Sequence, residues 1–200
     1  MFKTIDAYFK FHSKIYDLTR WSILFGRKSI FTHLPNLPNK ELNVLDIGCG
    51  TGMHLQILAR RYPKANITGL DASKEMLNKA GCKTIGNKQI ELVHSPLEDF
   101  IQTKQNYYDL IFCSYSLSMI EETSNCISTI YDSLKENGCI VVVDFNSTPL
   151  KTFEKWMSFN HVQISGNLFK VLNKYFKPQF VKNKKGYIGL WKYSLFVGTK

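Results

Sequence analysis

A run of strand-forming residues that ends in an acid and passes into a glycine-rich turn constrains this chain more than any other stretch. It reads Val44-Leu45-Asp46-Ile47-Gly48-Cys49-Gly50-Thr51-Gly52, and a helical pattern begins at Met53. Glycine lacks a Cβ atom, so Gly48, Gly50 and Gly52 tolerate strained turns and let a ligand approach the backbone closely. The stretch predicts a strand, a tight ligand-binding turn and a helix.

The spacing of these glycines argues against two familiar phosphate-binding loops. The dinucleotide pattern G-x-G-x-x-G needs a third glycine where this chain has Met53, and the phosphate loop needs Gly-Lys-Ser/Thr where it has Met53-His54-Leu55. Asp46 would repel a pyrophosphate, but it suits a ligand edge that is cationic or carries hydroxyl groups. An ordinary strand-to-helix turn remains the alternative.

Length and composition are those of one folded domain. The chain has 200 residues, 44% of them hydrophobic, which is enough for a proper core. We expect a single domain with a helical cap at 1–38, a cofactor-binding core at 39–145 and C-terminal helices with a closing hairpin at 146–200. No leader pattern opens the sequence and no apolar run approaches the roughly 18 residues of a spanning helix, so we expect a cytoplasmic protein.

Cysteine usage and charge limit the classes of partner that the chain is expected to have. The five cysteines are scattered without a C-x-x-C pair, which favours reduced thiols and predicts no metal site. The net charge of +10 is uneven, because residues 151–200 carry ten basic groups and one acidic group. These lysines either solvate the surface or attract an anionic partner such as a membrane face. Nucleic acid is a weaker candidate, since no recognised nucleic-acid motif accompanies them.

Strands and helices alternate along the core. The predicted strands are 42–46, 65–71, 89–94, 108–114, 139–145, 179–184 and 190–198, and the predicted helices after the cap are 53–61, 74–80, 123–135, 147–159 and 167–176. This alternation predicts an α/β fold with a doubly wound, mainly parallel, seven-stranded sheet. The last two strands form an antiparallel hairpin, and residues 1–33 form one or two amphipathic cap helices.

Acidic and polar residues end the predicted strands, where open α/β sheets bind their ligands. Asp71 follows Gly52 by 19 residues, the position of an acid that accepts hydrogen bonds from ribose hydroxyls. Capping of the next helix is its alternative role, although Ser73 already supplies a cap. A nucleoside bound without phosphates beside Asp46 points to S-adenosylmethionine, which carries an ammonium and a cationic sulfonium.

Four segments, in order, resemble the class I S-adenosylmethionine-dependent methyltransferases: 44–52, 70–77, 108–112 and 134–145. The resemblance implies that Asp46 and the turn backbone hold the methionine part, Asp71 the ribose, and Ala72 with Met76 one face of the adenine. Pro96 stands where many members have an aspartate, but the N–H of Leu97 can still serve a ring nitrogen. The implied cofactor-binding set is Asp46, Gly48, Cys49, Gly50, Gly52, Asp71, Ala72, Met76, Leu97 and Ser114.

A narrower resemblance covers most of the chain. Residues 15–27, 114–120, 142–145, 159–162 and 191–193 are similar to the diacylglyceryl-homoserine N-methyltransferases of betaine-lipid synthesis. That similarity implies a lipid amine that is methylated three times in succession. Rival acceptors are phosphatidylethanolamine and a soluble small molecule, and rival classes are a non-catalytic nucleoside-binding module and a nucleic-acid methyltransferase.

Methyl transfer demands mainly that the nucleophile be aligned with the sulfonium methyl. An α-amine has a solution pKa near 8, so its proton can leave to water or to a weak base. Tyr16, Tyr115 and His161 are the candidates for positioning the amine or accepting its proton, and the two tyrosines also offer cation–π contact. Packing alone is the alternative role of His161. Arg20 or Arg27 is expected to bind a headgroup carboxylate, although a structural or surface role for each stays open.

Overall fold

The structure, a computed structural model, describes residues 24–164 and 166–200. Its elements in chain order are β1 Leu42–Ile47, α1 Leu55–Arg61, β2 Ala65–Asp71, α2 Lys74–Thr84, β3 Ile90–His94, α3 Leu97–Ile101, β4 Tyr108–Ser114, α4 Thr123–Ser133, β5 Leu134–Ser147, α5 Lys151–Phe159, α6 Asn167–Tyr175, β6 Lys177–Gly186 and β7 Trp191–Thr199. Short 3-10 helices lie at Ser29–His33, Leu117–Met119 and Tyr187–Gly189.

The strands form one seven-stranded sheet in the order β3-β2-β1-β4-β5-β7-β6. The first five strands of the chain pair in parallel, and β7 lies antiparallel to both β5 and β6. This confirms the predicted doubly wound sheet with its closing hairpin. The strand order reverses direction between β1 and β4, so a crevice opens above the carboxyl ends of these two strands.

Two apolar layers cover the sheet, one on each face. Val141 and Val143 of β5 belong to one layer, and Ile140 and Val142 belong to the other. All four side chains are fully buried, because successive residues of a strand point to opposite faces. The continuous aliphatic run at 140–143 therefore is a strand covered on both sides, as its sequence predicts.

The junction between α4 and β5 differs from the prediction of a helix to Lys135 and a strand from Cys139. The helix ends at Ser133, and Leu134 pairs with Tyr108 before an irregularity in the register. The last helical carbonyl groups accept hydrogen bonds from the loop before β4 instead, with Tyr107 N to Ser133 O at 2.8 Å. The tertiary partners of these carbonyls therefore end the helix before the predicted residue.

Two further features of the helices differ from expectation. Helix α5 begins at Lys151, not directly after the Ser147-Thr148-Pro149 segment, because the Thr148 hydroxyl accepts a hydrogen bond from Leu150 N and donates one to Leu190 O. Helix α3 was not predicted at all. It has five residues, too few for a helical period to show in the sequence.

The predicted cap helices lie mostly outside the described residues, which begin at Leu24. The described part of this segment is a turn and the 3-10 helix Ser29–His33, and not an α-helix. Phe25 fixes it to the sheet, with its ring 5.9 Å from that of Trp191 and 6.2 Å from that of Tyr193. In the part of the chain that the structure describes, no helix is long and apolar enough to cross a membrane.

Candidate active site

The glycine turn joins β1 to α1 in the left-handed conformation that its sequence predicts. Gly48, Gly50 and Gly52 have φ angles of +68°, +56° and +75°. Leu70 O, at the end of β2, accepts hydrogen bonds from Gly48 N at 2.8 Å and from Cys49 N at 3.0 Å. The turn is thus held against the neighbouring strand by hydrogen bonds within the protein.

Substitutions at two of these glycines separate backbone strain from steric clash. A Cβ atom on Gly48 would lie 2.5 Å from Ser116 Cβ, whereas one on Gly50 would meet nothing within 4 Å. We expect Gly50→Ala to lower the free energy of unfolding by about 1 kcal/mol, from the left-handed conformation alone. Gly48→Ala should lower it by about 2 kcal/mol, because overpacking adds to the strain. Chemical denaturation measures both, and equal costs would contradict the packing of Ser116 against the turn.

Asp71 connects the glycine turn to the start of α2. Its Oδ2 accepts a hydrogen bond from Gly50 N at 2.8 Å, and its Oδ1 accepts one from Ser73 N at 2.9 Å. Burial raises the pKa of Asp71, against the opposing effect of these two bonds and of His94. Ser73 caps α2 as predicted, through Met76 N. A carboxylate offers about four acceptor positions, so Asp71 retains capacity for a ribose diol.

A cavity of about 730 Å³ lies above the carboxyl ends of β1, β2 and β4. Its wall contains eight of the residues predicted for the site: Gly48, Gly50, Asp71, Ala72, Met76, Leu97, Tyr115 and His161. Cys49, Gly52, Asp46, Ser114 and Arg27 are described but do not line this cavity. Tyr16 and Arg20 lie outside the described residues.

Asp46 is fully buried just before Ile47 and Gly48, which do line the cavity. Neither carboxyl oxygen has a hydrogen-bond partner within the described residues. The pKa of Asp46 is raised to about 7, mainly by burial. The positive charge of Arg27 opposes this rise, and the negative charge of Asp71 adds to it. An unpaired buried carboxylate is costly, so this position fits the cationic end of a ligand bound on the turn.

Other unpaired polar atoms accompany Asp46 within the described residues. Arg27 Nε, His54 Nε2 and Ser116 Oγ are buried without a hydrogen-bond partner. Burial and, to a smaller extent, the Arg27 charge together lower the pKa of His54 to about 3, so His54 is neutral at physiological pH. Arg27 therefore lies near the acid beneath the turn and not at the cavity where a headgroup carboxylate was expected. The group of Arg27, Asp46 and Ser116 fits the zwitterionic amino-acid end of S-adenosylmethionine.

The unpaired carboxylate predicts an unusual pH dependence of stability. Because folding raises the pKa of Asp46 from 3.8 to about 7, the folded protein keeps a proton that the unfolded chain loses. The stability that this group contributes is therefore fully present below about pH 4 and is lost as the pH rises through about 7. We expect ligand-free Asp46→Asn to melt at a higher temperature than the parent protein at about pH 8, as measured by calorimetry.

Asp144 provides the matched control for Asp46. It is also fully buried, and burial raises its pKa to about 6, but its oxygens accept hydrogen bonds from Ser118 N and Phe145 N. An asparagine there has only one acceptor oxygen, so Asp144→Asn should melt at a lower temperature at every pH. Equal destabilisation by both substitutions would show that Asp46 is paired in the folded protein.

Tyr115 lines the cavity but does not offer its hydroxyl group to a substrate. The hydroxyl donates a hydrogen bond to Phe25 O at 2.6 Å, and burial raises the pKa of Tyr115 well above its ordinary value. The residue has a φ angle of +57°, a strained conformation that is found preferentially at functional sites. Tyr115 is thus a protonated, positioned side chain and not a proton acceptor.

His161 follows α5 and forms part of the cavity wall. It also has a left-handed backbone, with φ of +59°. The backbone N–H of His161 donates a hydrogen bond to Ser158 O at 3.0 Å. Two residues later, Gln163 N donates to Ser118 O at 2.7 Å, which holds this segment to the loop after β4. The structure brings His161 and Tyr115 to the same cavity from elements far apart in sequence.

One wall of the cavity is acidic, which was not predicted from the sequence. Glu98 comes from the first turn of α3, and Glu121 with Glu122 comes from the loop before α4. The adjacent pair of glutamates was visible in the sequence, but acids before a helix also favour its N-terminus, so the pair alone did not indicate a site. Met119 and Ile120 add apolar surface beside them.

The sheet order, the glycine turn and the strand-end acid together define a class I methyltransferase domain. The family model described as "Methyltransferase domain" matches residues 38–188. The chain belongs to this family, and it is an S-adenosylmethionine-dependent methyltransferase domain. No group of side chains within 24–164 and 166–200 is arranged to hold a metal ion.

Individual relatives agree with this assignment. An uncharacterised protein of Haemophilus influenzae is 32% identical over 66% of this chain and 54% of its own length. A malonyl-[acyl-carrier protein] O-methyltransferase of Priestia megaterium is 30% identical over 67% of this chain and 47% of its own length. The chain thus spans about half the length of these curated relatives.

A solved structure shares the fold of this chain. Phosphoethanolamine N-methyltransferase 2 of Haemonchus contortus, in complex with phosphomonomethylethanolamine and S-adenosylhomocysteine, superposes with a TM-score of 0.79 at 15% identity. The match covers 100% of this chain and 60% of that one.

Proposed function

We propose that this chain transfers methyl groups from S-adenosylmethionine to the primary amine of a lipid headgroup, in successive methylations. The acidic wall of the cavity is the observation that supports an amine. Glu98, Glu121 and Glu122 line the cavity in addition to Asp71, and no lysine or arginine does so among the described residues. An acceptor with a cationic group is attracted to such a cavity, and an acceptor with only carboxylates is repelled.

The glutamates also suit the charge that develops when a methyl group is transferred to nitrogen. S-adenosylmethionine supplies an electrophilic methyl group on a sulfonium. As a neutral amine attacks that methyl, positive charge develops on the nitrogen, and fixed carboxylates nearby stabilise the charge where it develops. The same carboxylates hold the incoming ammonium form, whose proton must leave before attack. His161 in the cavity wall is the proposed acceptor of this proton, directly or through water.

The other predicted side chains take positioning roles in this proposal. Tyr115 holds the loop after β4 against Phe25, and Tyr16 keeps its predicted cation–π role toward the methylated product. Arg20 remains the proposed partner of a headgroup carboxylate. Arg27, which lies near Asp46, is now proposed to bind the carboxylate of the cofactor instead.

Two observations favour a lipid as the carrier of the amine. The similarity to diacylglyceryl-homoserine N-methyltransferases includes segment 159–162, in which His161 lines the cavity. The apolar residues Ile101, Met119 and Ile120 provide contact for the hydrocarbon next to a headgroup. Phosphatidylethanolamine and a soluble amine are the alternative acceptors, and a cytoplasmic protein associated with the inner membrane face is the proposed location.

Esterification of a carboxylate is the second candidate function, because the Priestia megaterium relative is named an O-methyltransferase. The two candidates are separated by a panel in which labelled methyl groups are offered to amine lipids, phosphatidylethanolamine, soluble amines and soluble polycarboxylates. The proposal predicts label on the amine lipids. Label on polycarboxylates alone would replace it, and cofactor binding without transfer to any acceptor would indicate a non-catalytic module.

A further inference from the structure

Large apolar side chains are exposed on one surface, which is formed by α5, by Leu150 just before it and by the tip of the β6–β7 hairpin. Trp156 is 51% exposed and Phe159 is 69% exposed, and Ile188 at the hairpin tip is fully exposed. Half of the ten large hydrophobic residues that are exposed in the described part of the chain belong here. We name this the α5–hairpin surface, and it contains Leu150, Lys151, Lys155, Trp156, Phe159, Lys185, Tyr187, Ile188 and Lys192.

Ring contacts hold α5 and the hairpin tip side by side. The inward face of α5 places Phe153 parallel to Trp191, with the ring centroids 5.6 Å apart. Trp156 lies 5.7 Å from Phe153, and Tyr187 of the hairpin tip lies 5.1 Å from Trp191. The exposed side chains of both elements therefore form one continuous patch around a buried tryptophan.

The α5–hairpin surface borders the cavity. Strand β5 runs parallel to β4, and β7 runs antiparallel to β5, so the Trp191 end of the hairpin lies at the same edge of the sheet as the cavity. Helix α5 connects the two directly, because Ser158 and His161 line the cavity while Trp156 and Phe159 are exposed. A molecule bound on this surface would therefore lie next to the opening of the cavity.

Two features of the hairpin tip are unfavourable for an isolated folded domain. Ile188 has a φ angle of +57°, where a β-branched residue is strained. Lys185 and Lys192 face each other directly in the β6–β7 register, and like charges directly opposite in a sheet are destabilising. Lys182 and Lys184 also lie on the edge strand β6. Their presence is ordinary, since lysines along an edge strand prevent pairing with other chains. A partner that takes up an apolar side chain and neutralises the lysines would offset both costs.

We propose that the α5–hairpin surface lies on an anionic lipid bilayer. Trp156, Phe159 and Ile188 enter the interfacial region, where amphipathic aromatic side chains are favoured, and the four lysines contact lipid phosphates. Charge complementarity supports an anionic surface, because Glu154 is the one acid against ten lysines in residues 151–200. This inference rests on the proposed function to the extent that a lipid acceptor would enter the cavity from the same bilayer.

Vesicle binding tests the inference without any methyl acceptor. The full chain is sedimented with vesicles of phosphatidylglycerol and phosphatidylcholine, and with vesicles of phosphatidylcholine alone. We expect binding to the anionic vesicles that weakens at high salt. The double variant Trp156→Ser, Phe159→Ser should bind at least about 10-fold more weakly, and Lys185→Ser with Lys192→Ser should lose about fivefold for each lysine.

The matched control is Ile85→Ser with Lys88→Ser. Ile85 is 85% exposed and follows α2, which runs back toward the opposite edge of the sheet, so this variant should bind vesicles as the parent chain does. The affinity for S-adenosylhomocysteine should be unchanged in all these variants, and the variant without Lys185 and Lys192 should melt no lower than the parent chain, because two facing like charges are removed. Absence of vesicle binding at any salt, equal losses in the control, or self-association that the Trp156 and Phe159 substitutions abolish would overturn the membrane assignment.

The outcomes distinguish this inference from the proposed function. These vesicles contain no primary amine that could accept a methyl group, so binding does not depend on the methyl acceptor. Normal vesicle binding with no transfer to any amine would remove the proposed function and leave the membrane surface in place. Transfer to a lipid amine by a chain that does not bind these vesicles would remove the membrane surface and leave the proposed function in place.

Discussion

Replacing Asp71 with asparagine is expected to weaken the binding of S-adenosylhomocysteine about 100-fold, because two or more charge-assisted hydrogen bonds are lost at once. One group consists of the bonds that we propose between the carboxylate and the ribose. The other is internal, since the carboxylate also accepts from Gly50 N and Ser73 N, and an asparagine side chain turns an amino group toward one of these donors. Isothermal titration calorimetry measures the affinity directly.

Asp109 is the matched control for this experiment. Its carboxylate likewise accepts two hydrogen bonds, from Asn43 N at 2.8 Å and from Lys135 Nζ at 2.6 Å. It lies near the start of β4, at the edge of the sheet away from the cavity. Asp109→Asn should lower the melting temperature and leave the cofactor affinity unchanged. If Asp71→Asn behaves like Asp109→Asn, Asp71 does not hold the ribose.

Reversing the acidic wall is the second large effect that we expect. Glu121→Lys with Glu122→Lys removes two attractive charges and adds two repulsive ones, each worth roughly 0.7 kcal/mol toward a cationic amine in a solvated cavity. The value of kcat/KM for an amine acceptor should therefore fall about 100-fold, while the affinity for S-adenosylhomocysteine changes little. Steady-state kinetics at several salt concentrations measures the effect, which should shrink as salt rises.

A variant with the same change in net charge controls for the field of the whole protein. Asp132 and Glu136 are exposed at the far edge of the sheet, and Asp132→Lys with Glu136→Lys should leave kcat/KM nearly unchanged. An acceptor that reacts faster with the Glu121→Lys, Glu122→Lys variant would be an anion, and the amine assignment would then be lost.

The sheet could be predicted from the sequence because its signals are local. The aliphatic run at 140–143 and the glycine turn at 48–52 each define an element without reference to the rest of the chain. The end of α4 could not be placed, since it depends on hydrogen bonds from Asn106 and Tyr107 across the structure. Tertiary contacts of this kind leave no periodic trace.

The candidate site was predictable in part for the same reason. Gly48, Gly50 and Asp71 carry strand-end signals, and the cavity contains all three. Asp46 was assigned from its position before the turn and from the family resemblance, and Arg27 was assigned from its residue type. Neither signal reveals that Asp46 is fully buried and that the charge of Arg27 acts on it. The acidic wall joins α3 to the loop before α4, and only the fold brings Glu98 close to the same cavity as Glu121.

The position of the transferred methyl group is the most direct test of the account. The purified chain is incubated with isotope-labelled S-adenosylmethionine and vesicles that contain a lipid with a primary amine and a free carboxylate on its headgroup, and the products are fragmented by mass spectrometry. We predict label on nitrogen, accumulating as mono-, di- and trimethylated species. Label on the carboxylate oxygen, as a base-labile ester, would contradict it.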